Sequence, residues 1–321
     1  MVYQRTLKSS FTLQGKGLHT GLNIKITFNP APENHGYKIR RTDVPGQPII
    51  DALAENVAAT QRGGTVLSAN GVQVSTVEHA LAALYACEID NCLIDVDAPE
   101  VPIMDGSSIM FVSKIKEVGA QQQDAERKYI MFKRKRVKVV DKATGSSMLL
   151  MPDESFSIQS HITFNSTLLR QQDAHMNDLA EFTRDFAPAR TFVFVREVMP
   201  LLENNLVKGG DLDNAIVIYD KQIAQNDFDH LADVMGVKRK DASKLGYIMN
   251  KPLLYPNEPA RHKLLDIIGD IALVGYFIKG KIIANCPGHG INNLFARAIR
   301  EAIFAEKKPK LELSLLAEIP A

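Results

Sequence analysis

Residues 262–278 read HKLLDIIGDIALVGYFI. The apolar spacing predicts a helix, and within it His262, Asp266 and Asp270 stand at i, i+4 and i+8, stacked along one face. Leu264, Leu265, Ile267, Ile268, Ile271, Ala272 and Leu273 leave little polar surface outside that stripe. A carboxylate in an apolar helix is costly unless something compensates it. Two carboxylates in line with a histidine suggest a metal ion as the compensation. Alternatively, the stripe is the polar edge of a partly exposed amphipathic helix.

A His and an Asp at i, i+4 can reach one ion, as in the helical H-E-x-x-H zinc motif. A catalytic site needs a third protein ligand and one open position. His79 is the candidate for the third. It sits in Ser75-Thr76-Val77-Glu78-His79, which also matches the S-x-x-E capping box, with Glu78 tied back to the start of a helix. On the other reading, His79 is a ligand and Glu78 a base beside the metal. Pro287-Gly288-His289-Gly290 sets an imidazole between glycines just before a helix. That suits proton transfer, or a surface turn.

Working outward, the C-terminal part begins at YIMFKRKRVKVVD, with further strand-like runs at SMLLMP and SIQSHITFN and a helix expected at NDLAEFTRDFA. ARTFVFV, REVMPLLENNL, KGGD and NAIVIYD read as strand, helix, turn and strand, a βαβ element over 193–219. The charged stretch 220–258 looks like an insertion. The helix from about Pro259, the strand KIIANCP and the helix NNLFARAIREAIFAEKK complete the unit. The N-terminal part runs through strands at YQRTLKSSFTLQG, LNIKITFNPA and YKIRRTDV, then a polar connection, then the helix STVEHALAALYACEI, which Ser75 can cap. A strand IDNCLIDVD, a proline-punctuated loop and a second helix follow. Residues 120–128, AQQQDAERK, read as a linker. Each half therefore has several strands and about two long helices, an α+β pattern with domains expected at 1–125 and 126–321. No short-period repeat is visible.

At 321 residues the chain is long enough for two domains, and its net charge of +1 demands neither nucleic acid nor an anionic membrane as partner. Cys87, Cys92 and Cys286 form no CxxC pair and fit a reducing cytosol. The first residues lack the apolar core of a signal peptide, and the longest apolar run is too short and acidic to span a bilayer. A cytoplasmic protein is expected. Lys133–Arg136 reads as a solvent-facing strand edge. Gly15, Gly17 and Gly21 make GxGxxxG, which is not the dinucleotide fingerprint. The Asn165-Ser166-Thr167 sequon is idle in a cytosol, and His35, His161, His175 and His230 lack partners at ligand spacing.

STVEHALAAL, DAPEVPIMDGSS, ARTFVF, RHKLLDIIGD and PGHGINN occur in one order, and with them the chain resembles the bacterial UDP-3-O-acyl-N-acetylglucosamine deacetylases. The resemblance runs from GKGLHTG to about residue 305. It implies zinc-dependent hydrolysis of the N-acetyl group of UDP-3-O-(3-hydroxyacyl)-N-acetylglucosamine, the committed step of lipid A biosynthesis in Gram-negative-type bacteria. It implies two similar domains, each a mainly antiparallel sheet on two helices, with the helices sandwiched between the sheets and a βαβ insert in the second domain. His79, His262 and Asp266 match the zinc ligands and Glu78 the general base. His289 matches the general acid, oriented by Asp270; Thr191 matches an oxyanion-stabilising hydroxyl and Lys263 a substrate-binding lysine. Phe192 lies where the family packs the sugar. Leu18, Val195, Val198, Gly210, Ala215 and Val217 would line an acyl-chain passage. A monomer is expected. Some related chains carry a fused dehydratase domain, for which the tail KKPKLELSLLAEIPA shows no sequence. Residues 220–258 and HITFNSTLLRQQ depart from the compact family members. Two rival classes are a binding protein that kept the fold and a protein with a purely structural metal. The first needs neither Glu78 nor His289, and the second calls for a fourth protein ligand.

Overall fold

The computed structural model describes residues 1–59, 64–204, 206, 208–234 and 236–307. The tail from 308 onward lies outside the described residues. The N-terminal half is built on a five-stranded sheet ordered β2 (Phe11–Lys16), β3 (Asn23–Pro30), β9 (Cys92–Val96), β4 (Tyr37–Arg41) and β5 (Ile49–Asp51). Ile24, Ile26 and Phe28 of β3 alternate inward, the signature of a sheet covered on one face. The C-terminal half repeats this order with β12 (Val137–Val140), β13 (Ser147–Met151), β20 (Gly280–Asn285), β14 (Phe156–Thr163) and β15 (Gln171–Met176). In each sheet one pair is parallel, β4 with β9 and β14 with β20, and the other pairs are antiparallel. Helices α1 (Glu78–Ala86) and α2 (Ile109–Val118) flank β9 in sequence, just as α6 (Glu258–Ala272) and α7 (His289–Lys307) flank β20. The expected α+β fold with two similar halves is therefore observed. The repeat resides in topology rather than in a residue pattern.

The helices form the middle of the molecule. Every residue of α1 from Glu78 to Tyr85 is buried, as are most residues of α6, because each meets apolar surface on more than one side. α1 and α6 pack on each other, α6 also meets β14 and β15, and Phe111 of α2 lies 5.9 Å from Phe28 of β3. Close approach of α1 and α6 depends on Gly269, where an added Cβ would come within 2.2 Å of the Glu78 carbonyl oxygen.

Several local expectations are corrected. The presumed linker is β10 (Ala120–Glu126), paired antiparallel with β1 (Tyr3–Leu7). Backbone pairing is indifferent to its polar side chains, and Gln123 also bonds Ala31 and Asn91. The polar connection before α1 holds β6 (Val57–Ala59), β7 (Val66–Ala69) and β8 (Val72–Ser75). Asn70-Gly71, both at positive φ (54° and 77°), turns β7 into β8, a hairpin signal that the sequence carries openly. NDLAEFTRDFA forms a 3-10 turn at Leu179–Glu181 and the single-turn α3 (Phe182–Asp185) rather than one helix. Lys133–Arg136 is exposed between β11 (Tyr129–Ile130) and β12, outside any strand. β11 pairs in parallel with β19 (Phe277–Ile278).

The expected βαβ element is present. β16 (Phe192–Phe194) and β17 (Ile216–Tyr219) are parallel and joined through α4 (Val195–Glu203). The 220–258 segment adds β18 (Gly246–Ile248), antiparallel to β17, and α5 (Gln225–Val234). Phe228 and Leu231 of α5 close over Val195, Val198 and Val217 in one apolar cluster. No described helix is long and apolar enough to cross a membrane.

Candidate functional site

His79 stands in the first turn of α1 and His262 and Asp266 lie one turn apart on α6, so the packing of these equivalent helices brings the three together. All three are buried. The His262 Nδ1–H donates to the Ala189 carbonyl at 3.0 Å, which turns Nε2 inward to 3.4 Å from Asp266 Oδ1. His79 Nε2 approaches the same oxygen at 3.7 Å. That oxygen has no hydrogen-bond donor, although it is buried. Asp266 Oδ2 instead accepts from Lys263 Nζ at 3.0 Å.

The charge states suit a cation. Burial pushes His79 down to about 3, with His262 adding to the effect, and burial likewise lowers His262, so both imidazoles keep lone pairs at neutral pH. Burial alone would raise Asp266, but Lys263 and the surrounding imidazoles outweigh it and hold the carboxyl well below its usual range. Two imidazole nitrogens and an undonated carboxylate oxygen facing one another without a shared proton fit a divalent metal. His79, His262 and Asp266 are the residues that could hold it.

Beside the triad lie Glu78 and His289. The capping box does not form. Ser75 belongs to β8 and its hydroxyl donates to the Pro99 carbonyl, while Val77 occupies the cap position without a side-chain bond. Thr76, between strand and helix, holds a strained φ of 59°. Glu78 Oε2 accepts from the Thr65 N–H at 3.1 Å, and Oε1 lies 3.9 Å from His289 Nε2. Burial raises Glu78 to about 7 against the opposing pull of His289. His289 opens α7, and its Nδ1–H donates to Asp270 Oδ2 at 2.8 Å. Burial works against its charge, yet Asp270, Glu78 and Asp266 lift it to about 10. A neutral or ionised carboxyl near pH 7 thus faces a firmly protonated imidazole, an acid–base pair within reach of one small molecule.

The ARTF segment lies against His262. Arg190 clamps Glu258 at the start of α6 with bonds of 2.8 and 3.1 Å. The Thr191 backbone is fixed between Gly106 and Ile216. The Phe192 ring lies 6.5 Å from the His262 ring and 5.4 Å from Lys263 Nζ, and both side chains are half-buried beside the triad. Leu18 meets Gly209 through a backbone bond, close to Gly210. Val195, Val198 and Val217 are buried under α5, and Ala215, just ahead of β17, is half-buried.

Sequence reading missed Thr65, Asn292 and Asn293. Asn292 Nδ2 donates to Asp270 Oδ2 at 2.9 Å, and Asn293 Nδ2 donates to the His289 carbonyl and to Thr65 Oγ1. The two asparagines were visible in PGHGINN. Thr65 had no signal, being 205 positions from the carboxylate it bonds.

Fold and site together define an α+β protein of two similar halves, with a buried His₂Asp triad that could hold a metal lying beside Glu78 and His289. The chain belongs to the UDP-3-O-acyl N-acetylglycosamine deacetylase family, whose profile it matches over residues 4–233 and 242–301. It is 59% identical over 303 residues to the bifunctional enzyme LpxC/FabZ of Porphyromonas gingivalis and 57% to that of Bacteroides thetaiotaomicron, covering 94% of this chain in each case. It spans 65% of the length of those two relatives. It is also 36% identical to the UDP-3-O-acyl-N-acetylglucosamine deacetylase of Shewanella violacea, over 93% of this chain and 90% of the relative. Residues 234–241, at the end of α5 and just beyond, fall between the two stretches matched by the family.

Proposed function

We propose that this chain is a zinc-dependent deacetylase that hydrolyses the 2-acetamido group of UDP-3-O-(3-hydroxyacyl)-N-acetylglucosamine to a free amine and acetate, as a monomer in a bacterial cytoplasm. The observation that carries the proposal is the undonated Asp266 Oδ1 facing two Nε2 lone pairs beside Glu78 and His289, in a chain of this family. Zinc held by His79, His262 and Asp266 would lower the pKa of water from about 16 to about 7 and polarise the acetamide carbonyl. Glu78 takes the proton of the attacking water; a base with a pKa near the working pH is the efficient choice. As the C–N bond breaks, His289 gives its Nε2 proton to the leaving nitrogen, which cannot depart as an amide anion. Asp270 keeps that imidazole protonated and turned. The Thr191 hydroxyl and the positive charge of His289 stabilise the oxyanion.

Lys263 and Phe192 receive the sugar-nucleotide. Leu18, Gly210 and Ala215, with Val195, Val198 and Val217, flank the acyl chain. With the domains divided at 125/126, Leu18, Glu78 and His79 come from the first and the other proposed site residues from the second, so the reaction centre lies at their junction. The test is zinc content together with acetate release from this substrate, before and after chelation. About one zinc per chain, with release lost on chelation and restored by zinc, is the expected result. Bound zinc without acetate release would refute the substrate, and an absence of metal binding would refute the centre.

A further inference from the structure

Thr65 is fully buried immediately ahead of β7, and its two polar groups reach both halves of the acid–base pair. Its N–H donates to Glu78 Oε2 at 3.1 Å, and its hydroxyl donates to Asp270 Oδ1 at 2.6 Å. We propose that Thr65 is a positioning residue that locks Glu78 and the Asp270–His289 pair into one arrangement; the inference rests on the deacetylase reading above.

Hydrogen accounting fixes what the hydroxyl does. An ionised carboxylate only accepts, so the single hydroxyl proton goes to Asp270 Oδ1. The Asn293 amide then fills a lone pair of Thr65 Oγ1 at 3.1 Å, which fixes the direction of the hydroxyl. With Oδ1 satisfied, Oδ2 remains for the His289 Nδ1–H at 2.8 Å and for Asn292 at 2.9 Å. Thr65 therefore decides which oxygen faces the imidazole, and so where His289 Nε2 points. At the same time its backbone holds one Glu78 oxygen and leaves Oε1 turned toward that Nε2. The preceding Gly64 has no side chain to intervene, since a Cβ there would stand 3.2 Å from Glu78 Oε1. The β-branched side chain also has few rotamers, so its hydroxyl is held without mobile atoms. Apart from His289 itself, which is ion-paired with both, no other described residue hydrogen-bonds both Glu78 and Asp270.

The test compares Thr65→Val and Thr65→Ser in the zinc-loaded full chain. Leaving a buried carboxylate oxygen undonated in the valine variant should lower kcat about 10- to 100-fold. KM and zinc content should stay near those of the parent, and serine should restore kcat to within about threefold of it. In an Asp270→Ala background, Thr65→Val should add less than about a twofold loss, because the two residues act through one contact. Full kcat in Thr65→Val would overturn the inference, as would equal losses in Val and Ser or an undiminished Thr65→Val effect in the Asp270→Ala background. Should the valine variant melt before assay, Thr65→Cys, a weak donor of similar size, should give an intermediate kcat; parent-like kcat there overturns the inference. The His289 Nδ1–H resonance in ring-labelled enzyme should shift in Val or Cys and not in Ser. That readout needs no substrate. Failure of the unmutated chain to release acetate would sink the deacetylase reading, whereas an unmoved resonance would sink the role of Thr65.

Discussion

Glu78 and His289 show how burial and close charges shift the protonation of ordinary side chains. Neither would be unusual in water. Enclosed together, the carboxyl rises to about 7 and the imidazole to about 10, the first mainly through desolvation and the second because three carboxylates overcome it. Removing the proposed base in Glu78→Ala should cut kcat by about 10² to 10⁴ while zinc content is kept. Near-native turnover would shift the base role elsewhere. In the proposed mechanism the productive state has Glu78 ionised and His289 protonated. kcat/KM should therefore rise with pH as Glu78 loses its proton, at or below about 7, and fall as His289 loses its own, at or below about 10, because a bound cation draws both pKa values down. A profile flat from neutral pH to above that point would exclude His289 as the acid.

At the scale of elements, the site exists because α1 and α6 touch. Gly269 sits between Asp266 and Asp270 in sequence and against the Glu78 carbonyl in space, so a methyl group there has nowhere to go. Gly269→Ala should destabilise the fold by about 1–3 kcal/mol or more through overpacking, and should weaken metal binding as the helices separate. Thermal melting and zinc titration would read the two effects, and an unchanged melt would mean that the helices tolerate a wider spacing. The small β16–β17–β18 sheet raises a second question of packing. Val195, Val198 and Val217 are already buried beneath Phe228 and Leu231, so an acyl chain entering there exchanges one apolar contact for another and displaces α4 or α5. Each substrate methylene that finds cover should still contribute up to about 0.8 kcal/mol. Shorter acyl chains should therefore lower kcat/KM stepwise, and indifference to chain length would remove these residues from the substrate path.

Across the whole molecule, the metal would fasten the two halves, with His79 on one and His262 and Asp266 on the other. Other ties cross the same junction. Arg127 bonds Asp90 and Glu88 and lies over the Phe277 ring, while Arg297 and Arg300 of α7 reach Ala54, Val57 and Glu55. A ligand that binds only the folded state adds about 2.7 kcal/mol at a hundredfold excess over its Kd. Chelation, or His262→Ala, should accordingly lower Tm, and the alanine variant should hold no zinc. Full zinc occupancy in His262→Ala would refute the ligand set.

What the sequence determined by itself was short-range. The i, i+4, i+8 stripe, the strand alternation and the βαβ element are set by backbone periods of 3.6 and 2, which neighbouring residues reveal without knowledge of the fold. The same local rules misread β10, because hydrogen bonding to β1 needs no apolar side chains. They also offered a capping role for Glu78, because S-x-x-E is equally good grammar for a helix start. Tertiary structure removed the capping role by drawing Ser75 into β8 and bringing the Thr65 amide to the Glu78 carboxylate. It also decided the matching topology of the two halves, the pairing of α1 with α6 and the undonated Asp266 oxygen. Each of these depends on contacts between residues far apart in the chain, and burial changes the protonation of such groups only once those contacts exist.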